Sequence, residues 1–296
     1  MFKNAQIYRL TAPISSASLE AALASRPHGE IGASEMMRQG WLMPRGDKYV
    51  HSAHGHHLIA LATDKRVLPS SVVNQAVKVR AVEIEKAQGF APGKRAMKEI
   101  KERTIDELTP RAFVKRDVTR ALISTQWLIV DASAPAKADD LIKHLLKAVE
   151  RFPIESLRVQ RSPIGAMTGW LQDDEAPAGF TIDQDATMRA TGESKAQVTY
   201  KRHTLEPDAM RQHIAAGKQC VKLAMTWESK ISFVLDQSLA VKRIALLDVL
   251  GKDSAAPSTQ EEKFDGELAL FAGEFTKLLS DLADGLGGIA QDQIAA

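Results

Sequence analysis

This chain of 296 residues is poor in the groups that do chemistry. It holds one cysteine, Cys220, so no internal disulfide can form, as expected in a reducing compartment. It has no run of eighteen apolar residues, and no membrane-spanning helix is expected. The opening segment MFKNAQIYRL mixes polar with apolar side chains and lacks the apolar stretch of a signal peptide. The expected location is the cytoplasm. No GxSxG, HExxH or CxxC occurs. Gly89-Phe90-Ala91-Pro92-Gly93-Lys94-Arg95 imitates a phosphate loop, but three residues separate its glycines where the motif needs four. Arg95 also stands where the magnesium-binding hydroxyl belongs. Gly285-Leu286-Gly287-Gly288 follows a helical pattern and reads as a helix stop, not as a dinucleotide fingerprint.

Charge is present but unevenly placed. The net charge is +2, yet residues 1–120 hold 20 Lys/Arg against 12 Asp/Glu, and residues 248–296 hold 3 against 10. The middle of the chain, 121–247, is nearly balanced at 16 against 15. Such asymmetry suggests a basic working surface and an acidic region turned elsewhere. The stretch from Leu68 to Arg116 concentrates it. Pro69 and Ser70 or Ser71 open a helix whose apolar face is Val73, Val77, Ala81 and Ile84. Gly89, Pro92 and Gly93 break it, and a second helix carries Met97, Ile100, Ile105 and Leu108 up to Pro110. Each stripe is narrow, so the hairpin is expected to project as an arm and to bury its stripe against itself or a second chain. From Lys94 to Arg116 eight Lys/Arg face four Asp/Glu, a composition suited to a polyanion as well as to a solvated face.

The remaining patterns argue an α+β fold, antiparallel sheets with packed helices and a projecting helical arm. Strands are expected over 2–10, 121–123, 127–130 and 196–202, and over a meander from Lys218 to Leu247. Two short runs around His54-Gly55 read as a hairpin, and 40–44 reads as a tight connection into a strand. Helices are expected after Ser15 or Ser16, over 137–152 with Leu141, Leu145 and Val149 inward, and from Pro207 to Gly217. The steps Phe264, Leu268, Phe271, Phe275, Leu278, Leu282, Leu286 mark a long C-terminal helix with an acidic outer face. The corresponding divisions are 1–67, an N-terminal α+β part; 68–118, the arm; 119–250, a central antiparallel β region with helices; and 251–296, a polar linker and a C-terminal helix packed on the body.

Few side chains are candidates for a site. His51, His54, His56 and His57 suggest a metal-dependent nuclease or phosphoesterase, but no second ligand set lies nearby and a hairpin sends neighbours to opposite faces. A polar turn is the simpler reading. Cys220, on a strand edge of the meander, reads as a small buried residue, and Asp173-Asp174-Glu175 as a solvated loop. Two clusters set cations beside an aromatic ring: Arg111, Phe113, Lys115 and Arg116, and Lys201, Arg202 and His203 after Tyr200. Cations neutralise phosphates, and a ring can stack on a base. Absence of catalytic motifs moves the expectation from enzyme to nucleic-acid binder.

FKNAQIYRL, GWLMPRG, LPSSVV, PRAF, AGKQCVKLAMTWESKISFVL and GELALFAGEFTKLLSDLADGLGG together resemble, in their order, the bacterial recombination-associated RdgC family. The resemblance spans nearly the whole chain. It implies a homodimer closed into a ring around duplex DNA, without sequence preference and with single strands as a further ligand. It implies association with the nucleoid and a role in recombination or replication through limiting RecA's access to DNA. No catalytic activity and no cofactor is implied. Position by position, the family's DNA-contacting aromatic falls on Phe113. Its basic turn falls on Lys201 and Arg202, with His203 where the family often carries a polar amide. An alternative use of such a chain is as a RecA-binding adaptor through the acidic C-terminal helix.

Overall fold

In β6 (Trp127–Val130) every residue is buried, yet successive residues serve different cores. Trp127 and Ile129 enter one apolar cluster, Leu128 and Val130 the other. A strand reads this way when both faces of its sheet are covered. β4 (His56–Val67) and β5 (Phe113–Ile123) follow suit, with Leu58 and Leu122 on one side and Ile59, Leu61, Ala121 and Ile123 on the other. Leu19 and Leu23 of α1 (Ser16–Ala24) and Leu141 and Leu145 of α4 (Pro135–Ala148) cover the second face. Leu268, Phe271 and Phe275 of α7 (Gln260–Gly285) cover the first. These statements rest on a computed structural model that describes residues 2–247 and 259–290.

Twelve strands form one antiparallel sheet, in the order β2-β4-β5-β6-β1-β12-β11-β10-β8-β9, with β3 (His51–Ala53) beside β4 and β7 (Ile154–Ser156) beside β1. β1 (Asn4–Leu10) is the seam: Gln6 to Arg9 pair with β6, and Asn4 and Ala5 pair with β12 (Val241–Leu246). Beyond it lie β11 (Ile231–Asp236), β10 (Lys218–Trp227), β8 (Phe180–Ala190) and β9 (Gln197–Tyr200). Cys220, Leu223, Met225 and Trp227 of β10 point into the core shared with α5 (Pro163–Asp173) and α7; Met210 of α6 (Pro207–Ala215) joins them. The fold is thus α+β with an antiparallel sheet and seven α-helices among the described residues. No helix among them is long and apolar enough to cross a membrane.

The arm is inserted between β4 and β5. α2 (Ser70–Gln88) and α3 (Lys94–Leu108) close a separate small core of Val73, Val77 and Ile100, flanked by Ile84, Met97, Ile105 and Leu108. Gly89 ends α2 at φ 81°, a left-handed conformation that glycine adopts without strain. Arg66 fixes the arm to the body. Its buried guanidinium donates to the carbonyls of Gly32 and Glu35 in one loop and of Pro110 and Ala112 at the arm's exit, at 3.1–3.3 Å. Buried cations persist where acceptors are that complete.

Several expectations need correction. Gly40 to Leu42 are not a connection; they end β2 (Met37–Leu42), which pairs with β4 throughout. The helix expected over 137–152 is α4 and stops at Ala148, because Val149 is already extended. Cys220 lies on an interior strand, paired to β8, and not at a sheet edge. α5, β7 and β8 were not expected, nor was the first half of β5. The polar linker expected from Gly251 to Gln260 lies, but for its last two residues, outside the described residues.

Gly40 is required by contact: a Cβ there would lie 2.5 Å from the His28 Cα. Gly40→Ala is expected to cost about 1–3 kcal/mol. Gly266→Ala, in open space on α7, should gain about 0.5–1 kcal/mol from helix propensity; urea titration of both variants checks the pair. Burial pushes the Cys220 thiol up to about 12. At pH 8 it should therefore resist a disulfide reagent in the folded protein and react at the rate of a free thiol in denaturant. Fast labelling without denaturant would contradict its placement.

Candidate nucleic-acid interface

The arm's exit delivers the chain into a two-stranded ribbon. A 3-10 turn, Thr109–Arg111, leads to Phe113, the first residue of β5, opposite Val67. Phe113 is 88% exposed and so is no core plug. Its neighbours on the same face are Lys65 and Lys115, which lie directly opposite each other in the β4–β5 ladder, both exposed. Like charges facing across a ladder destabilise it, and an anion laid over them would remove that cost. Lys65 was not among the expected residues, because only the ladder brings it beside Lys115. Arg111 is exposed as well. Arg116 is different: its guanidinium binds Asp64 of β4 in a fork at 2.7 and 2.8 Å. Those hydrogen bonds hold the buried Asp64 carboxyl below the usual carboxylate range, so the charge of Arg116 is already matched within the protein.

The second cluster lies at the far end of the sheet. Tyr200 ends β9, and its hydroxyl meets His213 of α6 at 2.9 Å, so its ring faces the core side. Lys201, Arg202 and His203 follow as an exposed turn. The His203 Nδ1–H donates to the Thr204 carbonyl at 2.7 Å. This turn borders the sheet face opposite α5, α6 and α7. There the alternate residues of β8, β10 and β12 open a cleft of about 440 Å³ lined by Arg189, Lys201, Lys222, Lys242 and Arg243. Lys242 is paired with Asp236 and Arg243 with Asp185, whereas Arg189, Lys201 and Lys222 are unpaired among the described residues. These strand residues were missed because they are scattered over three strands and only the pleat gathers them.

The structure does not merge the two clusters into one patch. β5 is third from one end of the ten-strand path and β9 is last; seven strand spacings of about 4.8 Å separate them by about 34 Å along the sheet. Nor do the histidines converge. His51 Nε2 is 2.7 Å from Asp265 of α7, and His57 Nδ1 is hydrogen-bonded with the Ser52 hydroxyl at 2.8 Å. Desolvation lowers the pKa of both His56 and His57. Among the described residues no group of three or more His, Cys, Asp or Glu side chains is placed to hold a metal ion. The acidic face of α7 is partly committed inward, with Asp265 on His51, Glu274 on Lys230 and Asp281 on the Trp227 indole.

A family model described as "Putative exonuclease, RdgC" matches residues 1–289. The recombination-associated protein RdgC of Janthinobacterium sp. (strain Marseille) is 50% identical over 294 residues, 97% of this chain and 98% of the relative. Those of Herminiimonas arsenicoxydans and Bordetella pertussis are each 49% identical, again over 97% of this chain and 98% of theirs. The chain therefore belongs to the RdgC family of recombination-associated proteins.

Proposed function

We propose that this chain binds DNA without sequence preference as a ring-shaped homodimer around the duplex, and that it acts in recombination by limiting RecA's access rather than by cutting. The observation that carries the reading is the Lys65–Lys115 pair, two exposed cations facing across a ladder beside the bare ring of Phe113. The cationic cleft beside Lys201 is the second support. Cations that meet phosphates carry no sequence information. Two basic surfaces about 34 Å apart along one sheet suit the wall of a channel around a duplex about 20 Å across. A closed ring holds its ligand by topology, so contacts can stay few and mobile. A protein so placed hinders a filament by occupying the duplex, without a catalytic group.

If about three to six phosphates are neutralised, log K should fall with log salt at a slope of about −3 to −5, equally for unrelated duplexes. Phe113→Ala should weaken binding by about 1–3 kcal/mol while stability stays within about 0.5 kcal/mol. Lys115→Ala should weaken binding while stability stays within about 0.5 kcal/mol, because relief of Lys65 is offset by the lost attraction to Asp117. Anisotropy titrations and thermal melts on the same samples check all three. A salt-independent affinity, or a melting temperature that collapses in Phe113→Ala, contradicts the reading.

A further inference from the structure

We propose that Asp185, an acid on a cationic face, is a positioning residue that sets the Lys201–Arg202 turn and the Arg243 guanidinium for phosphate contact. The inference rests on the DNA-binding reading above. A carboxylate beside a polyanion site opposes binding, so its presence there needs a cause. Asp185 lies on β8 between two clefts of the uncovered face, of about 440 and about 610 Å³, and lines both. Its Oδ1 accepts the backbone N–H of Arg202 at 2.7 Å, and its Oδ2 accepts from Arg243 Nη2 of β12 at 2.8 Å. One carboxylate thereby fixes a turn that follows β9 and a side chain from the far side of the cleft.

Backbone conformation gives a second, independent observation. Arg202 and Arg243 both adopt left-handed φ values, 50° and 53°. That conformation is strained for a residue with a side chain, and it persists where neighbouring contacts impose it. Asp185 holds the backbone of the strained Arg202 directly, whereas Arg243 sits at the β11–β12 register shift and meets the carboxylate through its side chain. The Arg202 amide is the largest influence that keeps the Asp185 carboxyl below the usual range, so the clamp stays charged at neutral pH. Apart from this bond, the turn is tied by the His203 amide on the Gln184 carbonyl at 3.3 Å. The neighbouring acid on this face, Asp183, is engaged elsewhere, since it takes the Thr226 hydroxyl and burial raises its pKa.

Two substitutions separate positioning from plain electrostatics, because both delete the same charge. Asp185→Asn keeps an oxygen to accept the Arg202 N–H; Asp185→Ala keeps none. Affinity for a 30-base-pair duplex is read by anisotropy on the folded, active fraction, with Lys201→Ala/Arg202→Ala as the reference variant. Asp185→Asn is expected to bind as tightly as the parent or up to about threefold tighter, from the lost repulsion. Asp185→Ala is expected to bind about tenfold more weakly, with a salt slope shallower by about one. Added to Lys201→Ala/Arg202→Ala, Asp185→Ala should cause only the smaller loss carried by Arg243, since residues acting through one another are not additive. Equal tightening by Asn and Ala overturns the clamp and makes Asp185 a mere electrostatic mismatch. A full tenfold loss in the triple variant overturns it too, by showing that Asp185 does not act through the turn. If Lys201→Ala/Arg202→Ala binds like the parent, the DNA reading of this turn has failed, and the clamp with it.

Discussion

The two halves of the sheet meet at a seam of two registered pairs, Asn4 with Lys242 and Ala5 with Val241, and such a seam is weak by itself. What holds it is α7. Twenty-six residues give this helix a length of about 39 Å, enough to reach from one half to the other. Near its start, Asp265 holds His51 of β3; along its middle, Phe271 packs on Phe2 with ring centroids 5.6 Å apart and stacks on Phe275 at 5.2 Å; towards its end, Asp281 holds the Trp227 indole of β10. The spacing between the Phe113 surface and the Lys201 surface depends on this brace. So does any function that needs both surfaces on one ligand.

The arm is set by a similar economy. Its own core is small, three buried residues with a partly buried fringe, and gives it an internal shape but no orientation. Orientation comes from Arg66, whose four carbonyl acceptors join a loop of the body to the arm's exit. Asp64 and Arg116 form the next ladder position down the ribbon and close the same corner with a fork. Buried guanidinium below and exposed lysines above are consecutive residues, Arg66 and Lys65, turned to opposite faces by the pleat. One strand thus supplies both the anchor and the cationic surface.

Elements whose two faces differ sharply were legible from the sequence. The α7 stripe keeps one period throughout, the β10–β12 meander alternates apart from its bulges, and His54-Gly55 is a compact turn signal. α5 escaped because Gly165 and Gly169 dilute its helical pattern, and β8 because its outward residues, Asp183 and Asp185, look like loop acids. The front half of β5 reads as a basic connection since the ribbon buries only one of its residues before Ala121, namely Thr119. Site legibility divides the same way. Phe113 and the Lys201–Arg202 turn are contiguous signals. By contrast the facing of Lys65 on Lys115, the neutralisation of Arg116 by Asp64 and the gathering of Arg189, Lys222 and Lys242 are products of register. No local pattern announces them.

The central claim, a ring that holds duplex DNA by topology, is tested most directly by retention on closed circles. Complexes formed on covalently closed circular DNA at low salt would be challenged with high salt, then cut once with a restriction enzyme, while solution mass reports the dimer. The account predicts that the dimer stays on the circle at a salt concentration that strips it from linear DNA, and leaves when the circle is opened. Equal loss from circular and linear DNA, or a monomer at working concentration, would contradict it.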